Sequence, residues 1–438
     1  MNEKKDLSQT EPGVKKASPS LALGLLLAAM GWGLDGMAGF APNLPVHTIS
    51  AALLVLGLGL VLFAALQMRL GRAKAAAGAS LWILLLGTAG LLWSPPVRLD
   101  VTMAPQPFPS AGRQHLAYEI RLRHYGWRPM QIRQVRVMDG QRKERGRFES
   151  DFLGRGPWGE TSPQALQLPA GGELILYLWL SLDKDEELPS QLTHEVSWSP
   201  VGEVAAGGLL QGALTEVEGQ DPPAIGPPLR SGPWMAQAGP SNWSRHRRAR
   251  ALEYLAQRFA TDWVRVDEQG RSWAGPQEDN RSYFAYGAEV LAVAAGTVVE
   301  VRDKIPENRP PEQTIPVSFT TFAGNSVVLR LEKGLCALYA HLQPGSLRVS
   351  EGQAVKRGEV LGLVGNSGYS SEPHLHLQLT YGCSPIRSEG VPYVYEGYQS
   401  HGYFPYGQSF QLPPPQLRRL QLPLQSEIVT FVEPRPTE

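Results

Sequence analysis

The chain has 438 residues, more than one ordinary domain holds. Its 41 basic and 41 acidic side chains cancel, and that balance argues against a nucleic-acid partner. What remains is a chain of several parts.

Residues 1–97 form a cytoplasmic N-terminus and three predicted transmembrane helices, at about 21–41, 49–66 and 75–93. Each apolar stretch approaches the ~20 residues needed to cross a bilayer. The first carries Asp35, which must sit near the interface or face a neighbouring helix. No small-x-small cleavage site leads into soluble sequence, which favours an anchor over a cleaved signal. Lys4, Lys5, Lys15 and Lys16 precede the first span, and Arg69, Arg72 and Lys74 separate the second from the third. The 42–48 loop has no basic residue. The positive-inside rule therefore puts the N-terminus in the cytoplasm and residues 95–438 outside, with the lipid bilayer as a partner of the helices.

Residues 98–217 read as β-rich. Segments 116–123, 132–138 and 174–180 alternate or run apolar, and Pro169-Ala170-Gly171-Gly172 supplies a turn. The expectation is a β-sandwich-like spacer, or a docking module for an envelope protein partner. His115, His124 and His194 are scattered and read as ordinary surface or strand residues. Residues 218–243 are rich in Pro and Gly and read as a stiff linker. At the far end, 401–438 read as a Pro-rich tail whose 426–432 run is either an edge strand or part of a loosely ordered end.

Residues 244–400 carry the chemistry. Strand-like segments at 290–301, 326–331, 335–341, 359–364 and 374–380 are joined at glycines. Two tetrapeptides stand out, Tyr339-Ala340-His341-Leu342 and Pro373-His374-Leu375-His376. Residues two apart on a strand share a face, so His374 and His376 address the same small space. These landmarks occur in order with Tyr286-Gly287-Ala288-Glu289-Val290, Gly324-Asn325-Ser326 and Val364-Gly365-Asn366-Ser367-Gly368.

That ordered set resembles the lysostaphin/LytM-type zinc metallopeptidases, over roughly 246–395. The resemblance implies a mainly antiparallel β fold with a groove for a polymer, peptidoglycan peptides as substrate, and one catalytic zinc. It implies that His376 binds zinc, while His374 and His341 act on the attacking water and the developing oxyanion. Zinc of this kind keeps three protein ligands and one open position. The family's remaining ligands follow a His-x-x-x-Asp pattern. A gapped reading gives Asp262 as the carboxylate, but Arg258 then stands where the histidine belongs, and a guanidinium cannot ligate zinc. Either His246 or Asp279 fills the gap. If neither does, the module is a silent binder of peptidoglycan or a regulator of other cell-wall hydrolases.

Four further expectations complete the reading. The fold class is an all-α membrane region followed by a mainly β soluble part, in which a sandwich-like spacer precedes an antiparallel metallopeptidase-like domain. The localisation is a bacterial inner (cytoplasmic) membrane, with the C-terminal domains extracytoplasmic, where peptidoglycan lies. Cys336 and Cys383, the only cysteines, either pair or are two small buried residues. The 303–316 segment is either a wall of the groove or a tolerated surface insertion.

Overall fold

The computed structural model describes residues 97–432, except 158, 204–206, 252 and 407–408. The three predicted spans lie outside the described residues. Among the described residues no helix is long and apolar enough to cross a membrane. The described chain is mostly β, with antiparallel sheets and very short helices.

The first part is a pair of sheets. One holds Val97–Val101, Arg113–His124, Phe108–Ser110 and Glu173–Asp183. The other holds Glu144–Glu149, Met130–Asp139, Gln191–Pro200, Gly208–Glu216 and Gln167–Leu168. Alternation in the sequence builds the core between them. Leu116, Tyr118, Ile120 and Leu122 point inward with Leu176, Leu178 and Leu180, against Ile132, Val135, Val137 and Val196.

The opposite face of Arg113–His124 carries His115, Glu119 and Arg121, residues an exposed sheet would present to water. They are buried all the same, with Glu119 at 0 % exposure. The second part of the molecule covers them. Ala117, Phe108 and Trp179 join its core, and Phe108 meets Phe259 edge to face at 5.4 Å. The three scattered histidines are strand residues, and all are buried.

The second part is organised on an eleven-stranded sheet. Along its path lie Ala354–Val355, Gly296–Arg302, Asn325–Arg330, Leu335–Leu342, Leu375–Tyr381, Thr261–Arg265, Trp234–Ala236, Glu427–Phe431, Tyr398–Tyr403 and Gln416–Arg418, with Glu389–Gly390 added beside Leu375–Tyr381. One face packs Tyr339, Leu377, Leu375 and Trp263 into the core. The other presents Asp262, Ala340, His376 and Gln378, because register sets Asp262 opposite His376 and His376 opposite Ala340.

Two boundary expectations need correction. Residues 218–243 are no free linker. Trp234–Ala236 pairs with both Thr261–Arg265 and Glu427–Phe431, and Ala224–Ile225 pairs with Val394–Tyr395. The prolines cluster before Trp234 and leave the apolar Trp-Met-Ala triplet free to donate to a ladder, where Trp234 and Ala236 are fully or nearly fully buried. The 401–438 tail likewise contributes an interior strand rather than an edge, since Glu427–Phe431 is flanked on both sides and Ile428 and Val429 are buried. Cys336 and Cys383 are joined in a disulfide.

Candidate active site

The site assembles on the polar face of the large sheet. Asp262 and His376 are cross-strand neighbours, and His376 Nδ1 lies 2.9 Å from Asp262 Oδ1. Leu375 and Leu377, on either side of His376, anchor the strand in the core, so alternation alone aims the imidazole outward. His374, one residue ahead of that strand, has Nε2 3.5 Å from Asp262 Oδ1.

His341 reaches the same space by a local irregularity. In a regular strand it would share a face with Tyr339, which is core. The register between Asn325–Arg330 and Leu335–Leu342 shifts between Asn325 and Val327, and His341 has φ +65°. That bulge turns the ring onto the face of His374 and His376, at centroid distances of 4.7 and 5.8 Å. A non-glycine residue in this region stores of order 1–3 kcal/mol of strain, a cost that recurs at functional sites.

His246 arrives from farther away in the chain. It sits on a single helical turn, Arg245–Arg248, and its Nε2 lies 3.2 Å from Asp262 Oδ2. The ligating atoms of His246, Asp262 and His376 all lie within 4.8 Å of one another. Asp279 is elsewhere. It is half exposed and caps the turn Asn280–Ser282, accepting from the Arg281 amide. Of the two candidates for the missing position, His246 is the one brought to Asp262 and His376. Arg258 is buried and engaged by Glu119 and Glu389, at 2.9 and 2.8 Å.

Every ring in the cluster has its outer N–H engaged. His246 Nδ1 donates to Ala238 O at 2.9 Å, His374 Nδ1 to Glu372 O at 2.8 Å, and His341 Nδ1 to Ser367 O at 2.8 Å. His376 Nε2 donates to Gln378 Oε1 at 3.0 Å. Such partners fix the tautomer and ring orientation of histidines that act through the other nitrogen. Burial opposes ionisation of Asp262, but His246 and His374 outweigh it and hold the carboxyl well below its usual range. Burial, joined by His374 and His376, pushes His341 well below its usual value and keeps it neutral. Burial also lowers His376. His374 goes the other way, because Asp262 overcomes its desolvation.

The turn that holds His341 is braced from two sides. Gly324, at φ +61°, leaves no room for a side chain: a Cβ there would lie 2.4 Å from Ser367 O. Asn308, from the 303–316 segment, donates through Nδ2 to the carbonyls of Gly368 and Ser370, both at 2.8 Å. The segment is thus a brace for the Ser367 turn. Beside it a cavity of about 400 Å³ is lined by Phe319, Phe322, Tyr369, Ala256, Gln257 and Ile386, with Phe319 and Tyr369 largely exposed. Gln378 and the Ser367 carbonyl were not anticipated as site groups. The two-residue offset from His376 was the available signal for Gln378.

The description "Peptidase family M23" matches residues 282–388. Residues 282–388 are an M23 peptidase domain. The matched span of the M23 domain contains His341, His374 and His376, while His246 and Asp262 lie upstream of it. Endolysin 2638A of Staphylococcus phage 2638A is 36 % identical over 106 residues, covering 23 % of this chain and 18 % of the endolysin. The DD-carboxypeptidase/endopeptidase Mpg of Neisseria meningitidis serogroup B is 41 % identical over 68 residues, or 16 % of this chain and 15 % of Mpg. The peptidoglycan DD-endopeptidase ShyA of Vibrio cholerae is 37 % identical over 67 residues, or 15 % of each chain. The chain therefore spans less than a fifth of the length of these relatives, at 18 %, 15 % and 15 %.

Proposed function

We propose that the chain is a membrane-anchored zinc endopeptidase that hydrolyses peptide bonds in peptidoglycan on the outer side of a bacterial cytoplasmic membrane. The M23 domain and the DD-endopeptidase names of two relatives support the reaction class and the substrate. The apolar stretches at 21–41, 49–66 and 75–93 support the anchor. The Cys336–Cys383 disulfide agrees with an oxidising compartment.

The observation that carries the metal reading is a conflict of lone pairs. A neutral imidazole has one N–H. In His246 and His376 that hydrogen is committed to Ala238 O and Gln378 Oε1. Each second nitrogen faces the Asp262 carboxylate, at 3.2 and 2.9 Å. Lone pair against carboxylate is repulsive unless a cation lies between them. Protonating the rings would gather several charges in one buried space, whereas one divalent ion relieves them together. Two imidazoles and a carboxylate are a zinc donor set that leaves a position open. His246 supplies the ligand whose absence the silent-binder reading requires.

His246 Nε2, Asp262 and His376 Nδ1 would hold the ion. Zinc, when bound, acidifies a water molecule and polarises the scissile carbonyl. His341, neutral and with Nε2 free of its Ser367 bond, takes the proton of the attacking water and passes it to the departing amine. His374, oriented by Glu372 and raised towards protonation by Asp262, donates to the oxyanion as the carbonyl carbon becomes tetrahedral. The open cavity walled by Phe319 and Tyr369, beside the Ser367 turn, would receive part of the peptide.

The test is digestion of purified peptidoglycan by the full-length chain, with and without chelator, read as newly released amino termini. Release that stops on chelation and returns with zinc supports the proposal. Peptidoglycan bound but left uncut, with zinc supplied, would sink it.

A further inference from the structure

We propose that Glu119, on the sandwich part of the molecule, is a positioning residue for the metal site, so that the ligand set forms only when the two parts are docked. The proposal rests on the zinc-site reading above. Glu119 is completely buried, and its two oxygens take different partners. Oε1 accepts from Arg247 Nε at 3.0 Å, and Oε2 accepts from Arg258 Nε at 2.9 Å. Those two arginines belong to the two segments that carry the upstream ligands.

Arg247 follows His246 directly. The Arg245–Arg248 helix is a single turn, too short to persist without tertiary support. Arg247 supplies that support. Besides Glu119 it donates through Nη2 to Tyr118 O at 2.7 Å and Leu178 O at 2.8 Å, both on sandwich strands, and it is 0 % exposed. Consecutive residues of a helical turn point about 100° apart. Arg247 can therefore be sunk into the sandwich while His246 is held out towards Asp262.

Arg258 stands four residues before Asp262, with buried Phe259 and Ala260 between it and the strand Thr261–Arg265. Its guanidinium spans from Glu119 to Glu389 and to Gly390 O at 2.8 Å, which ties the sandwich to the short strand that pairs with the far end, Thr380–Tyr381, of the strand carrying His376. Ala260 O also lies 3.3 Å from His246 Nδ1, so the two anchored segments meet at the ligand itself. Arg258 occupies the place where the family pattern has a histidine. Here that place serves docking, and the turn that docking creates delivers the nitrogen.

The experiment uses the full-length chain in detergent, stripped of metal and titrated with cobalt, whose visible absorption reports its ligands. Wild type is expected to bind cobalt saturably, and His246→Ala to bind it weakly with an altered spectrum. Glu119→Gln and Arg247→Lys are expected to lose about 10- to 100-fold in cobalt affinity, the usual consequence of removing a ligand's support. Their spectra should move towards that of His246→Ala. If either variant, folded by circular dichroism, binds cobalt with wild-type affinity and spectrum, the proposal is overturned. Should Glu119→Gln fail to fold, Arg247→Lys decides alone, because it keeps the charge facing Glu119 and loses only the fork. Wild type without saturable cobalt binding would instead bring down the zinc-site reading itself.

Discussion

Two buried carboxylates sit at the heart of this molecule, and their surroundings differ in one respect. Glu119 lies between the guanidinium groups of Arg247 and Arg258, and Asp262 lies among the imidazoles of His246, His374 and His376. The arginines are permanently charged and offer only donors, so the Glu119 cluster is closed and can only hold parts together. The imidazoles of His246 and His376 each keep a lone pair, so the Asp262 cluster is open to a metal and to chemistry. His246 and Arg247 are sequence neighbours, and each serves one of the two clusters.

The comparison predicts effects that fall off with distance from the open cluster. His376→Ala should remove zinc and with it all measurable hydrolysis, read by metal analysis and digestion of the same preparation. His341→Ala should keep its zinc yet lose about 10²–10⁴-fold in kcat, since only a proton carrier is gone. A variant that lost zinc as well would move His341 from proton transfer into the ligand set.

The closed cluster should respond in stability. Glu119→Gln leaves buried Arg247 without its counter-ion and Arg258 with Glu389 alone, at a cost of about 3–5 kcal/mol in urea unfolding. Burial disfavours the Glu119 charge, but Arg258 and Arg247 outweigh it and lower the carboxyl below its ordinary 4.5. The stabilisation is thus complete above about pH 4.5 and is lost as pH falls towards the folded value. The acid-dependent loss should be smaller in Glu119→Gln than in wild type.

The disulfide is expected to matter a little less. Joining residues 47 apart restricts the unfolded chain by about 4 kcal/mol at most, so Cys336→Ser with Cys383→Ser should lower the urea midpoint while zinc stays bound. The smallest effect belongs to Asp279→Ala. It removes one cap from an exposed turn and should cost about 1 kcal/mol or less, with zinc content unchanged.

The open cluster was far more legible in the sequence than the closed one. His374 and His376 declare themselves by strand alternation, and His341 by its tetrapeptide, although the bulge that turns it outward leaves no mark in local periodicity. Asp262 emerged from a gapped reading. His246 is the sequence's first choice for the third position and Asp279 the alternative, and local signals do not decide between them, because the turn carrying His246 is placed by contacts with a strand more than a hundred residues earlier. Nothing local to Glu119, on an alternating strand, announces that a second unit covers its face. The same limit explains the misread 218–243 segment. Its prolines mark loops correctly but conceal a three-residue strand whose ladder partners, Thr261–Arg265 and Glu427–Phe431, both come from later in the chain.

The most direct test of the account is the zinc content of the full-length chain beside His246→Ala and Asp279→Ala. The account predicts about one zinc per chain in wild type and in Asp279→Ala, and its loss in His246→Ala. Zinc retained by folded His246→Ala, or absent from wild type after zinc is supplied, would contradict it.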